Sequence, residues 1–484
     1  MAGSIFPGAR IGPDDPRYDT LSRGFNLRWV GAPAEIALCG SAAQVRAAVQ
    51  RAVDEGRRLT VRSGGHCYEN FAVGNQDGVI VDMAPMNRVS FDDRRGAYCV
   101  EAGATLWNVV WTLYKEYGRA LPGGSCYSVG AGGHITGGGY GLLSRKHGLI
   151  VDWLDAVEIV RVDSGKRARI TIAEKDGRAA DLFWACQGGG GGNFGIVTRF
   201  WFKEIPEAPA EAHLVNLAWD WDGMTQAELA EIIARYGRFF AGHSRPGGPD
   251  DGLFALLHLS AKAAGQIVLT AQYVGDRPRR LADFVRFMCG AGVRAPVAQR
   301  HPVGQNFFPL PTTNVQRLPW LYATQSLDPS GPNRRGKYKS AYMKQPFPEA
   351  QIATIWRWLT GDFQNSQSLL QVDSYGGAIN AVASGATAIP QRSSILKLQY
   401  QTYWVHEKDT PANLAWISGF YDEMYGTEGP LPDAVMDGCY VNYPDCDLKD
   451  WARLYYLDSY KKLQRVKRRW DPHDVFNHAQ SIRP

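Results

Sequence analysis

The sequence predicts an α+β protein of two domains, and three observations predict it. Helical and strand patterns alternate closely over residues 41–118. Glycine then crowds into tracts flanked by apolar strands. Beyond the proline-broken segment Ile205-Pro206-Glu207-Ala208-Pro209, glycine thins and long strands mix with amphipathic helices.

The elements follow in order. Ser41 suits an N-cap, Val45, Ala48, Val49 and Val53 keep a helical period, and Gly56 suits the stop. Leu59 to Arg62 reads as a strand entering Ser63-Gly64-Gly65-His66. Gly78 to Met83 and Ala97 to Gly103 read as further strands, and Leu106 to Tyr117 as a helix closed by Gly118. Apolar strands are expected at Leu154 to Val162 and Gly195 to Phe202. In the second region strands are expected at Gln266 to Val274 and Ser394 to Val405, with helices at Thr225 to Phe239 and Pro411 to Tyr425. A strand-like CYVNY at 439–443 precedes a basic helix from Trp451 to Trp470, ended by Asp471-Pro472. The expected domains are 1–205, 206–429 and a return of the first over 430–484.

Composition excludes several function classes. The 484 residues exceed one ordinary core. A net charge of +5 spread along the chain gives no nucleic-acid footprint, and the basic run at 461–469 is expected to be a solvated helix face. No apolar run reaches the roughly 20 residues of a membrane span, and no signal peptide is visible in Met1 to Tyr18, so a cytoplasmic protein is expected. Eight cysteines without a CxxC pair read as reduced, small core residues, and no zinc spacing appears; no metal is expected.

The 53 glycines are the anomaly, against the roughly 7% of an average chain. Glycine after a strand lets backbone N–H groups close around a phosphate without Cβ interference. Three such places, RSGGH at 62–66, PGGSCYSVGAGGHITGGGYG at 122–141 and Gly188 to Gly192, imply a dinucleotide-sized ligand. The arrangement is not a Rossmann fingerprint, because GxGxxG followed by an acid is missing.

RSGGH, GGSCYSVGAGGHITGGGYG, GGGGGNFGIVT, YVNY at Tyr440 to Tyr443 and the terminal FNHAQSI together resemble the berberine-bridge-enzyme-like oxidases, a branch of the vanillyl-alcohol-oxidase flavoproteins. The resemblance runs from about Pro33 to the C-terminus, and its texture is nearest to bacterial sugar and antibiotic-tailoring oxidases. It implies a vanillyl-alcohol-oxidase-type FAD-binding fold whose substrate domain carries an antiparallel sheet. It implies FAD held by two covalent bonds, His66 at the 8α-methyl and Cys126 at C6. The remaining contacts to FAD are expected from Arg62, Ser63, Gly64 and Gly65; from Gly124, Ser125, Val129, Gly130, Gly133, His134, Gly139 and Gly141; from Gly190, Gly191, Asn193, Phe194, Gly195 and Val197; and from Tyr440 and Asn442.

By the same resemblance Tyr443, second tyrosine of YVNY, is the catalytic base, while Tyr440 and Asn442 share the opposite strand face. Tyr140, Tyr375 in DSYGG and Gln399 in LKLQYQ are further active-site candidates, with Lys397 on the Gln399 face. Berberine bridge enzyme carries a glutamate base where Gln399 stands, so ring-closing C–C bond formation is not implied. Val129 fits the family's oxygen gate. The implied activity is hydride removal from a hydroxyl-bearing carbon of a sugar, glycoside or glycosylated natural product to FAD and then O2, giving H2O2. The alternatives are a same-fold dehydrogenase with another acceptor, and a tailoring oxidase of a non-sugar alcohol. The partners are thus a small-molecule substrate and O2, with no nucleic acid and no membrane; oligomeric state is not legible.

Overall fold

A computed structural model describes residues 7–300 and 314–484. Three sheets organise them. The first contains β1 (Ala9–Ile11), β2 (Glu35–Leu38), β3 (Leu59–Arg62) and β4 (Val79–Asp82) in the order β1-β2-β4-β3, with β2, β4 and β3 parallel. The second contains β5 (Val89–Asp92), β6 (Ala97–Glu101), β7 (Leu154–Val162), β8 (Ala168–Glu174) and β9 (Ile196–Phe202), antiparallel in the order β5-β6-β9-β7-β8.

The helix Ala42–Asp54 joins these two sheets. Ser41 caps it by accepting from the Gln44 amide, and Val45, Ala48, Val49 and Ala52 form its buried face. That face packs against β4, β7 and β8. Helix Leu106–Tyr117 ends where Gly118 adopts a left-handed conformation at φ 62°, as its sequence predicts.

The third sheet is larger. It holds β10 (Glu211–Asp220), β11 (Leu253–Ser260), β12 (Gln266–Tyr273), β13 (Gln316–Pro319), β14 (Arg335–Met343), β15 (Leu369–Ser374) and β16 (Leu396–Trp404). Their order is β13-β10-β12-β11-β15-β16-β14, antiparallel throughout. Helix Thr410–Tyr425 packs on β14 and β16, and Glu349–Thr360 links it to Gln226–His243. Tyr236 of the last helix donates to the carbonyls of Ala255 and Val372. One face of the sheet is thereby covered, and the other looks into a cavity. The architecture is mixed α+β, as the alternation of patterns predicted.

Three expectations need correction. CYVNY is not a strand: residues 440–443 form a turn, closed by the Tyr443 amide donating to the Tyr440 carbonyl at 2.9 Å. The basic stretch 451–470 is broken into Trp451–Tyr456 and Tyr460–Trp470, with Leu457 at φ 47° between them. Its basic run is not wholly solvated either. Lys467 is fully buried, donating to Asp471 and to the carbonyls of Asn193 and Phe476 at 2.6–2.7 Å. An amphipathic helix sends one long side chain inward, and here that cation ties the second glycine tract to the C-terminal segment.

Among the described residues no helix is long and apolar enough to cross a membrane, and no group of side chains could hold a metal ion. All eight cysteines are free; Cys446 is exposed rather than a core residue.

Candidate active site

A single cavity of about 830 Å³ lies between the three glycine segments, the 440–444 turn and the open face of the large sheet. That is at the upper end of the usual range for small-molecule and cofactor sites.

The glycine side is built from backbone packed on backbone. A Cβ on Gly64 would lie 2.4 Å from the Gly130 nitrogen, and one on Gly130 would lie 2.1 Å from the Gly64 nitrogen. Only two glycines allow the RSGGH loop and the second tract to touch this closely. Arg62 anchors the loop from beneath by pairing with buried Asp82 and donating to the carbonyls of Leu21 and Arg23. Asn193 closes the third tract by donating to the carbonyls of Gly189 and Gly190.

His66 and Cys126 are 60 residues apart in sequence, yet Nε2 and Sγ lie 3.6 Å apart on the cavity wall. Phe25 stacks on the imidazole with ring centroids 3.8 Å apart, which fixes its plane. Burial lowers the His66 pKa to about 4, so the ring is neutral and keeps a free nitrogen lone pair at physiological pH. Burial raises the Cys126 thiol, while the hydroxyls of Ser330 and Ser128 pull it back. Half-buried Cys67, the neighbouring thiol, also lines the cavity, but its pKa is pushed up to about 11 by desolvation.

Most of the expected cofactor residues line this cavity: Arg62 through His66, Gly124, Ser125, Cys126, Val129, Gly130, Gly133, His134, Gly141, Gly190, Gly191, Asn193, Gly195, Val197, Tyr440 and Asn442. Gly139 and Phe194 do not. A Cβ at Gly139 would meet the Ile150 side chain at 2.7 Å, and Phe194 is a core residue.

The turn sets the tyrosines differently from a strand. Asn442 donates to the His134 carbonyl and to the Tyr440 hydroxyl, both at 3.0 Å. The rings of Tyr440 and Tyr443 then meet edge to face with centroids 5.0 Å apart, on one side of the turn rather than on opposite faces. Tyr443 lines the cavity, and Lys397 donates to its hydroxyl at 3.2 Å.

Lys397 is fully buried and bonded at 2.6 Å to Asp373, its register partner on β15. Its ammonium also lies 4.6 Å from the Tyr140 ring centroid and 4.5 Å from that of Tyr443. Burial, and then the Asp373 charge, push the Tyr443 hydroxyl well above its ordinary pKa, opposite to what a base at neutral pH requires. Asp373 escaped the sequence reading. Its only signal there was its place as the first residue of DSYGG, two before Tyr375.

The other tyrosines separate. Tyr140 lines the cavity and donates to the Ser374 carbonyl at 2.6 Å. Tyr375 sits behind it, fully buried and outside the lining, with its hydroxyl on the Gln391 carbonyl.

Gln399 faces the cavity within a polar row. Residues two apart on a strand share a face, and antiparallel register aligns His258, Gln371 and Gln399 across β11, β15 and β16. Gln399 donates to the Tyr68 hydroxyl at 3.2 Å, and Gln401 donates to the side-chain oxygens of Gln371 and Gln399. Tyr68 stacks on Tyr338 with centroids 3.5 Å apart and reaches Tyr443 at 5.6 Å. The arrangement offers two nucleophiles at one point, a tyrosine touched by a cation, and a wall of hydrogen-bonding groups. The glycine cradle and the paired His66 and Cys126 fit an FAD.

A family model described as an FAD binding domain matches residues 33–171, and one described as berberine and berberine like matches residues 439–483. The chain is 38% identical over 515 residues to the hexose oxidase of Chondrus crispus, covering 97% of this chain and 93% of that protein. It is 40% identical over 501 residues to the aclacinomycin-N/aclacinomycin-A oxidase of Streptomyces galilaeus, covering 97% and 89%. The crystal structure of aclacinomycin oxidoreductase superposes with a TM-score of 0.90 at 39% identity over 99% of both chains. A glycopeptide hexose oxidase complexed with teicoplanin does so with a TM-score of 0.92 at 35% identity, again over 99% of both. The fold is therefore of the vanillyl-alcohol-oxidase type, and the chain belongs to the berberine-bridge-enzyme-like family of FAD-dependent oxidoreductases.

Proposed function

We propose that the protein oxidises a hydroxyl-bearing carbon of a sugar, a glycoside or a glycosylated natural product, with FAD attached through His66 and Cys126. The observation that carries this reading is the Lys397–Tyr443 contact at 3.2 Å in the same cavity as the His66–Cys126 pair. The names of the hexose and aclacinomycin oxidases support the substrate class.

Bound FAD supplies the hydride acceptor, and O2 takes the electron pair onward as H2O2. The protein's own task is the proton. A carbinol carbon gives up hydride readily only as its oxygen loses the proton, and Tyr443 is the group that takes it. Its phenolate must form against burial and the Asp373 charge, so the Lys397 ammonium beside the oxygen holds the charge that develops. Gln371, Gln399, Gln401 and His258 offer donors and acceptors to the remaining hydroxyls of the substrate. Val129, on the cavity wall and bonded through its amide to the Cys126 carbonyl, leaves O2 a path that a larger aliphatic side chain would close.

Acid precipitation tests the attachment. The yellow colour stays in the pellet for wild type, His66→Ala and Cys126→Ala, and leaves it only for the double variant. Flavin in the wild-type supernatant would overturn covalent attachment. A screen of sugars, glycosides and aglycones with peroxide detection tests the reaction, and reoxidation of reduced flavin is slower in Val129→Leu. Flavin reduction by a sugar without oxygen uptake would instead favour a dehydrogenase.

A further inference from the structure

Three charged residues line the cavity: Arg62, Asp373 and Arg334. Two are neutralised within the fold, Arg62 by Asp82 and Asp373 by Lys397. Arg334 is not. No carboxylate of a described residue lies within ion-pair distance of it, and residues 1–6 and 301–313, the rest of the chain, contain neither Asp nor Glu. Its Nε is buried without a hydrogen-bond partner.

The guanidinium is held in place nonetheless. It lies 3.8 Å from the ring centroid of Tyr403, a cavity-facing residue of β16. Tyr403 in turn packs on Tyr338 with centroids 5.5 Å apart. The backbone beside it is clamped, with the Arg334 amide on the Phe25 carbonyl and the Leu27 amide on the Arg334 carbonyl. A half-buried cation fixed by packing and left without a counter-charge costs stability unless a ligand completes it. A planar fork of donors held over an aromatic ring is matched to a carboxylate.

The aromatic chain gives the direction. From Tyr443 contacts pass to Tyr68, then Tyr338, then Tyr403, and end at Arg334. The contact path from the base to the cation thus runs along the sheet wall through three aromatic rings. The cation can reach a group outside the reacting ring, not the reacting hydroxyl.

We propose that Arg334 selects substrates bearing a carboxylate on a residue or aglycone attached to the ring being oxidised. This rests on the sugar-oxidase reading for the identity of the reacting ring, but the anion subsite can be measured without turnover. The test titrates the flavin-containing enzyme with phenyl β-glucoside and 4-carboxyphenyl β-glucoside, and with benzyl alcohol and benzoate, and compares Arg334→Gln and Arg334→Lys with wild type by calorimetry and flavin difference spectra. Wild type binds at least one carboxylate about 10–100-fold more tightly than its neutral counterpart, as expected for one charge-assisted pair. Arg334→Gln abolishes that preference and Arg334→Lys restores part of it, with neutral-ligand affinity and covalent flavin content unchanged.

If the glycosides are turned over, the loss in Arg334→Gln falls on KM for the carboxylated one and spares kcat. Charge-dependent binding without turnover of any glycoside would leave the subsite standing and remove the sugar reading. Equal affinity of wild type and Arg334→Gln across the panel would overturn the proposal. So would a variant that loses flavin or all ligands alike, since Arg334 would then be structural.

Discussion

The two sides of the cavity are made by different means. The glycine side is backbone against backbone, where Gly64 and Gly130 touch because neither has a side chain. The sheet side is side chain against side chain, where Gln371, Gln399, Gln401 and Tyr68 hydrogen-bond across three elements. Where those two glycines meet, the first tolerates no added atom, which suits an invariant partner. The second can exchange one polar group for another without moving the backbone, which suits a wall that reads a variable substrate. On the proposed function, cofactor and substrate recognition are separated in the same cavity, with Tyr443 between them on a turn contributed by neither.

The sharpest test of that division removes the group between the two sides. Tyr443→Phe deletes only a hydroxyl, so flavin content and substrate affinity remain while flavin reduction in anaerobic stopped flow slows by about 10²–10⁴-fold. Because burial, and after it Asp373, raises the Tyr443 pKa, the wild-type rate climbs with pH into the alkaline range, and Asp373→Asn moves that rise part of the way to lower pH. A wild-type rate of reduction in Tyr443→Phe would shift the base to Tyr140.

Acid should stress the glycine side next. His134 accepts from the Gly124 amide, and burial lowers its pKa from 6.5 to about 4. A depressed folded-state pKa gives stability that is complete above the unfolded value and is lost as pH falls toward the folded one. His134 thus contributes a slope approaching about 1.4 kcal/mol per pH unit within that window. Thermal melts of the holoenzyme between pH 7 and pH 4 should show it, with a shallower acid limb in His134→Gln. An identical limb would show that another group governs acid stability.

The smallest effects compare the two walls directly. Gly130→Ala forces a Cβ against the Gly64 backbone and Ser63 Oγ, costing about 1–3 kcal/mol of stability together with flavin incorporation. Gln399→Leu loses two hydrogen bonds, one donated to Tyr68 and one accepted from Gln401, about 1 kcal/mol each, and changes KM while flavin content holds. If Gly130→Ala keeps its flavin and Gln399→Leu loses it, the assignment of the two walls is reversed.

The local sequence determined what depends on neighbours in the chain. Caps at Ser41 and Gly118, the strands entering each glycine tract, and the His66 and Cys126 loops all rest on short-range propensities and on residues lacking a Cβ. These signals persist when the sequence is read as a string. Alternation along β16 even put Lys397 and Gln399 on one face. Tertiary structure alone decided what depends on register and on chain return. The Asp373–Lys397 pair joins two strands 24 residues apart, Lys467 finds Asn193 across 274 positions, and Arg334 lacks a counter-charge only because of where the fold sets every acid. The YVNY segment alternates like a strand but has no ladder partner, so its backbone closes on itself and turns Tyr443 toward Lys397. Pairing of distant side chains is set by a balance of burial and register over the whole molecule, and no window of neighbouring residues contains it.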